Sequence, residues 1–371
     1  MPKTPDKKIP FLKPAITDKD IALMLESINT TWLVSGEYTE TLESDLTKYF
    51  AAKDAAVLSS ATAALHLSLI LAGVGEGDEV ITTPISWVAT SNVILYQQAT
   101  PVFVDVDLNT GLIDVDQIEA KITKKTKAIL IVHLNGLMVD MKKLKAIADK
   151  YNIPVIEDAA HALEAKRDGI RPGELGLTAC LSFHAAKNIT SGQGGACVVN
   201  DKKLGERLKL LRRDGVLNRD GKRVMYELGY KYDLTDFQAA MLIGQLARVK
   251  ETHEKRMEVY RYYMDLLKDS NMRYITPPSN VVHAAHMFMV FVNPDKRDMV
   301  RDVMYDAGIE TSIHYPPIHL EPYYVKRFGY KPGSFPAAEQ YGASAITLPT
   351  YSGLATREQE YIVETLKGAL K

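Results

Sequence analysis

The chain has 371 residues, 46% of them apolar and 25% charged, with a formal net charge of -1. Those fractions are ordinary for a globular protein and exclude a disordered or fibrous chain. The 45 Lys+Arg are balanced by 46 Asp+Glu, which excludes a broad basic field for nucleic acid or an anionic membrane. Cys180 and Cys197 are too few for a disulfide framework and fit a reducing compartment. Met1 to Lys8 are polar, without the apolar run of a secretion signal, and every apolar run is shorter than a bilayer span. A soluble, cytoplasmic chain is therefore expected.

Asp18 and Asp20 after Thr17 read as a helix start, with Ile21, Leu23, Leu25 and Ile28 as its apolar stripe, and Leu42, Leu46 and Phe50 mark a second helix. Short apolar runs then alternate with helical patterns. Strands are expected at 55–58, 79–82, 101–106, 128–132 and 154–156, and helices at 61–71, 87–96, 115–121 and 141–150. Two further strands at 179–183 and 196–199 flank the turn Ser191-Gly192-Gln193-Gly194-Gly195. Continuous Val/Ile/Leu strands between helices indicate an α/β fold with a mainly parallel sheet covered on both faces. Helical patterns follow at 204–213, 236–249 and 253–268. Beyond Pro277-Pro278 come a strand at 287–292, a helix at 297–307, a strand at 310–314 and a helix from about 356. The expected division is a large unit, residues 1–250, and a smaller C-terminal α/β unit, residues 251–371.

Ligands of open parallel sheets bind beyond the carboxyl ends of the strands, so residues there carry the first candidates. Ile156 leads straight into Glu157, Asp158, two alanines and His161. Side chains alternate along a strand, so Glu157 and Asp158 face opposite ways and one enters the crevice; capping of the next helix is the alternative. Lys187 follows the strand ending Ser182-Phe183, among small and apolar residues. A desolvated lysine is a nucleophile for carbonyls; an ordinary surface lysine is the alternative. Ser59-Ser60-Ala61-Thr62-Ala63 opens a helix directly after a strand, which makes either an anion site of amides and hydroxyls or a plain N-cap. Trp87 opens the helix after another strand, where it either stacks on a ring or fills the core. No phosphate loop, zinc-type cysteine pairing or nucleophile-elbow serine occurs, and His283 with His286 lacks further metal ligands in sequence. Jointly, an anion cradle, a stacking aromatic, a strand-end carboxylate and a strand-end lysine at one sheet edge suit pyridoxal phosphate.

Four segments are specific: Ser60-Ala61-Thr62-Ala63, Glu157-Asp158-Ala159-Ala160-His161-Ala162, Ser182-Phe183-His184-Ala185-Ala186-Lys187-Asn188-Ile189-Thr190 and Gly229-Tyr230-Lys231-Tyr232-Asp233-Leu234-Thr235-Asp236. With them, and with His314-Tyr315-Pro316-Pro317-Ile318-His319, the chain resembles the DegT-type sugar-nucleotide aminotransferases from about Ile9 to its C-terminus. The branch making UDP-4-amino-4-deoxy-L-arabinose is the most similar in form. The resemblance implies the aspartate-aminotransferase-like fold (fold type I), with a seven-stranded, mainly parallel sheet in the large domain. It implies pyridoxal 5'-phosphate on Lys187 as a Schiff base, Asp158 at the ring nitrogen and Trp87 on the ring. Thr62, Ala63 and Ser182 would hold the phosphate, and His161, where many relatives have Gln, would reach the phenolic oxygen. It further implies a homodimer with sites at the interface, Lys231 (often Asn in relatives) reaching the neighbour's cofactor phosphate. His314, Tyr315 and His319 are the implied substrate residues, with no metal. Gln193 and Asp214 stand where relatives often have Glu and His, on the sugar side.

The implied reaction moves an amino group from L-glutamate to a keto group of a nucleotide-linked sugar, a 4-keto sugar being expected, for surface polysaccharide or glycoconjugate synthesis. A keto-cyclitol (inosose) aminotransferase and a non-catalytic, cofactor-binding sensor are the alternatives. A deoxygenating dehydratase of the family carries His at the position of Lys187 and does not match.

Overall fold

Seven of the apolar runs pair into one sheet, in the computed structural model that describes residues 8–371; the polar stretch read at 1–7 lies outside them. The strands are β1 (Asp54–Leu58), β2 (Glu79–Thr82), β3 (Thr100–Phe103), β4 (Thr126–Val132), β5 (Val155–Asp158), β6 (Thr178–Ser182) and β7 (Gly195–Val199). Their order is β1-β7-β6-β5-β4-β2-β3, and β7 alone runs antiparallel to its neighbours. This is the expected α/β sheet. Alternation along each strand feeds two cores: Ile129, Ile131 and Val155 pack on one face, and Ala128, Leu130 and Ile156 on the other. Coverage of both faces explains why these strands read as unbroken apolar runs.

Helix α1 (Asp18–Asn29) is the first departure from the sequence pattern. Its buried residues are Asp20 and Ser27, whereas Ile21, Leu25 and Ile28 are exposed. The cause is Asp20, whose carboxylate takes Arg248 and the hydroxyl and amide of Thr17. A buried ion pair outweighs the apolar stripe in setting which face turns inward, because an unpaired buried carboxylate would cost several kcal/mol, about 3–5. Next come α2 (Glu37–Phe50), whose Leu42, Leu46 and Phe50 are buried as expected, and α3 (Ala61–Leu71). The helix expected from residue 87 begins later, as α4 (Ala89–Tyr96), leaving Trp87 in the preceding turn.

A third core joins Tyr260 and Tyr263 of α5 (Val249–Leu267) to the C-terminal segments, together with Ile9. It contains a three-stranded antiparallel sheet of β8 (Arg273–Tyr274), β9 (Phe288–Phe291) and β10 (Ala345–Leu348), in the order β8-β9-β10. The strand expected at 310–314 is not formed. Ser312 and Thr347 exchange backbone bonds of 3.2 and 2.8 Å, and then Pro316 and Pro317, which lack amide donors, carry the chain away from the sheet. The buried run Ala345–Leu348, ended by Pro349, is the strand that pairs with β9. Among the described residues no helix is long and apolar enough to cross a membrane.

One close approach joins the cradle to the sheet. A Cβ on Gly195, the first residue of β7, would lie 2.4 Å from the carbonyl carbon of Ser60 and 2.5 Å from the nitrogen of Ala61. Only glycine fits between these backbones. Gly195→Ala is expected to lower stability by about 1–3 kcal/mol through overpacking, read as a shifted denaturation midpoint with unchanged slope.

Candidate active site

A cavity of about 560 Å³ opens at the carboxyl ends of the sheet strands and gathers most of the candidates. Thr62, Trp87, Asp158, His161, Ser182, Lys187, His314 and Tyr315 all line it. Val155 and Glu157 share one face of β5, Ile156 and Asp158 the other, so alternation sends Asp158 into the cavity and Glu157 away. Glu157 is fully used elsewhere: its Oε1 accepts from the amides of Gly173 (3.1 Å) and Gly176 (3.0 Å), and its Oε2 from His133 Nε2 (2.8 Å). Because Val139 N–H donates to His133 Nδ1, the histidine proton sits on Nε2.

Asp158 keeps a different set of partners. Thr90 Oγ1 donates to its Oδ2 at 2.8 Å and the Ala160 amide to its Oδ1 at 3.2 Å. Ser86 Oγ lies 2.7 Å from Thr90 Oγ1, so two hydroxyls form a relay ending on the carboxylate. Burial pushes the Asp158 carboxyl up, opposed by Thr90, Ala160 and the Lys187 ammonium. A cation facing it would relieve that cost.

Lys187 lies on the irregular segment after β6 and is pushed down to about 8 by burial, Asp158 partly countering this. In the cofactor-free chain, capture of an aldehyde by this amine is expected to rise about tenfold per pH unit and level off above about 8, since only the neutral amine is nucleophilic. Stopped-flow capture of pyridoxal phosphate against pH measures this. His161 accepts the Asn135 amide at Nδ1 (3.4 Å) and meets the Tyr315 hydroxyl through Nε2 (3.3 Å), so its proton is assigned to Nε2 and points at the cavity. His314 Nδ1 lies 2.8 Å from Thr347 Oγ1, and its ring stacks on Phe11. Burial first, and Lys187 second, hold His161 and His314 below the usual histidine range.

The anion cradle is the N-terminus of α3. Ser60 Oγ accepts the Ala63 amide at 3.1 Å, while the Ala61 and Thr62 amides have no partner among the described residues. Ala63, expected at the cofactor, is thus displaced: it is buried, does not line the cavity, and its amide is taken by the cap. His319 is also displaced from its expected place at the substrate. It is fully buried outside the cavity, bonded to Glu339 at 3.0 Å and set against Tyr330 and Phe335. The turn at Pro316-Pro317 carries it under the surface, into a small aromatic cluster around Phe103. Lys231 is exposed, 3.0 Å from Asp233, and outside the cavity wall of its own chain.

Sequence reading did not single out Thr90, Ser86 or Phe11, and weighed His286 only as a metal ligand; all four are at the wall. The four-residue spacing of Ser86 and Thr90 near a helix start was a usable signal for the hydroxyl relay. Phe11 gave none, because only tertiary packing brings it to His314.

With this geometry, comparison with known proteins is informative. The DegT/DnrJ/EryC1/StrS aminotransferase family profile matches residues 14–367. The chain is 33% identical to the spore coat polysaccharide biosynthesis protein SpsC of Bacillus subtilis, over 98% of this chain and 97% of SpsC. Helicobacter pylori PseC, an aminotransferase involved in the biosynthesis of pseudoaminic acid, superposes with a TM-score of 0.94 at 29% identity, over 98% of this chain and 99% of PseC. Spr1654 of Streptococcus pneumoniae, solved in a PLP form, superposes with a TM-score of 0.93 at 29% identity, over 98% of each chain. The fold is that of the aspartate aminotransferases, and the chain belongs to the DegT/DnrJ/EryC1/StrS family of pyridoxal-phosphate-dependent aminotransferases.

Proposed function

We propose that this aminotransferase moves an amino group from L-glutamate to a keto group, in position 4, of a nucleotide-linked sugar destined for surface polysaccharide or glycoconjugate. The observation that carries the reading is the meeting of a desolvated Lys187 and a buried, hydroxyl-supported Asp158 in one cavity of about 560 Å³. That volume falls within the range of small-molecule sites, about 300–1,000 Å³. SpsC by its name serves spore coat polysaccharide biosynthesis and Spr1654 is described as a sugar aminotransferase, which supports a sugar acceptor. The UDP-4-amino-4-deoxy-L-arabinose branch is the narrower form of the proposal.

The residues present fit pyridoxal phosphate. Asp158 has an underpaired carboxylate turned to the cavity, two free amides stand at the start of α3, and a reactive amine lies within the same walls. When bound, the cofactor supplies an aldehyde that takes up amines and a ring that accepts electron density from the adjoining carbon. Lys187 Nζ would hold it covalently, and as a desolvated amine it would also be the group that moves a proton there. Asp158 keeps the ring nitrogen protonated, and Thr90 keeps Asp158 oriented and ionised. Thr62, Ser182 and the Ala61 amide would hold the phosphate, Trp87 would face the ring, and His161 Nε2–H, now against the Tyr315 hydroxyl, would serve the phenolic oxygen. His314 and Tyr315 form the substrate wall.

The working unit is a homodimer with its sites at the interface. Supporting this, α1 and the following turn expose Ile21, Leu25, Ile28, Trp32, Leu33 and Val34, an apolar surface that a second copy would cover. Lys231, free of its own cavity, would serve the partner's phosphate, and the division near residue 250 separates the cofactor unit from the smaller one. Enzyme loaded with the amino form of the cofactor, challenged with keto-sugar nucleotides and an inosose, tests the substrate by mass spectrometry. Amination of a 4-keto sugar nucleotide is expected. Amination of the inosose alone would overturn the acceptor class, and failure of L-glutamate to load the enzyme would overturn catalysis.

A further inference from the structure

Residues 184–190, which carry Lys187, are neither helix nor strand, so no backbone ladder fixes the lysine. A second cavity of about 30 Å³ touches Lys187, Asn188, Arg256 and His286, leaving room into which an unpinned segment could shift. Isolated backbone bonds, Lys187 N–H to the His184 carbonyl (2.9 Å) and Ala185 N–H to the Gly192 carbonyl (3.0 Å), hold the segment together with a pin from the next side chain. Asn188 Nδ2 donates to Glu164 Oε2 at 2.7 Å and to the Ala284 carbonyl at 3.0 Å. Both partners are acceptors, so the amide is oriented without ambiguity and its Oδ1 faces His286 Nδ1 at 3.0 Å. His286 must then carry its proton on Nδ1. Glu164 is in turn paired with Arg256 of α5, and both are buried. The chain His286–Asn188–Glu164–Arg256 thus ties the lysine segment to the segment after β5 on one side and to the smaller unit on the other.

We propose that Asn188 and His286 are positioning residues that act as one unit: the Nδ1–H of His286 locks the Asn188 amide, and the locked amide holds Lys187 in place when its amine is released during turnover. The inference rests on the assignment of Lys187 as the cofactor-bound lysine. Burial, with Lys187 as the next cause, keeps His286 well below the usual histidine range, so the imidazole stays a neutral donor. Its ring lies 4.4 Å from that of His161, a contact that phenylalanine retains while losing the donor.

The test uses the holoenzyme and its His286→Phe, Asn188→Ala, double and His286→Asn variants. Three quantities are read: kcat and KM for the L-glutamate half-reaction, circular dichroism of the cofactor band, and borohydride fixation of cofactor on Lys187. Each single variant is expected to lower kcat about 10- to 100-fold with KM changed less than about threefold, and to weaken the dichroism, as small misplacements do. The double variant should be no more than about threefold worse than the worse single, because the two residues act together. His286→Asn, whose amide can still donate, should recover most of the loss. Wild-type kcat and dichroism in His286→Phe, or a double-variant loss equal to the product of the singles, would overturn the proposal. Should Asn188→Ala fail to fold, the contrast between His286→Phe and His286→Asn decides alone. Absence of fixation on Lys187 in the wild type would instead overturn the lysine assignment, a separable result.

Discussion

Lys187→Ala is expected to abolish amino transfer, with kcat reduced by at least about 10⁴-fold, and to abolish borohydride fixation of the cofactor. Two functions are lost with one atom. On the proposed assignment the amine that would hold the cofactor is gone, and so is the base that would carry the proton, which alone is worth about 10²–10⁴-fold. No second lysine lines the cavity, so no neighbouring amine substitutes for Lys187. The folded state should survive, because removing a desolvated amine relieves a burial cost. Wild-type turnover, or fixation on a different lysine, would refute the assignment.

Asp158→Asn is expected to lower kcat about 10²- to 10³-fold, equivalent to roughly 3–4 kcal/mol of lost interaction, the scale of one broken buried ion pair. The amide cannot stabilise a protonated ring nitrogen, and its NH2 end must face either the Thr90 hydroxyl or the Ala160 amide, two donors placed for a carboxylate. Covalent attachment on Lys187 should remain. The same substitution removes the attraction that partly holds the Lys187 ammonium up, so the lysine falls further below about 8. The pH curve for cofactor capture should therefore move to lower pH in Asp158→Asn. An unmoved curve would show that the two groups do not interact.

Legibility in the sequence followed the range of the interaction. The seven strands of the large sheet were legible because a doubly covered strand is an unbroken apolar run, a local property. Asp158 and Lys187 were legible for the same reason: each lies at or just beyond the end of such a run. Helix α1 was not, since its inward face is set by Asp20 meeting Arg248, a pairing that periodicity cannot see. Strand β10 was hidden because the helix Pro336–Ser344 runs directly into it with no breaker between them. His319 was misplaced because its neighbours in sequence line the cavity while the two prolines before it turn it inward. The Asn188–His286 pair needed a contact between residues 98 positions apart, and nothing local marks it.

The reversed direction of β7 has a further consequence. The chain passes the lysine, turns through Gly192–Gly194 and at once runs back beside the start of α3, where Gly195 abuts Ser60 and Ala61. The spacing between the amine and the anion cradle is therefore set by one short excursion of the backbone. Phe11, His314 and Tyr315, by contrast, reach the cavity from the first and last stretches of the chain. On the proposed roles, anchorage and selectivity would be built from separable pieces of polypeptide. Recombining the outer segments between relatives should then alter which acceptor is aminated while leaving the grip on the cofactor as it was.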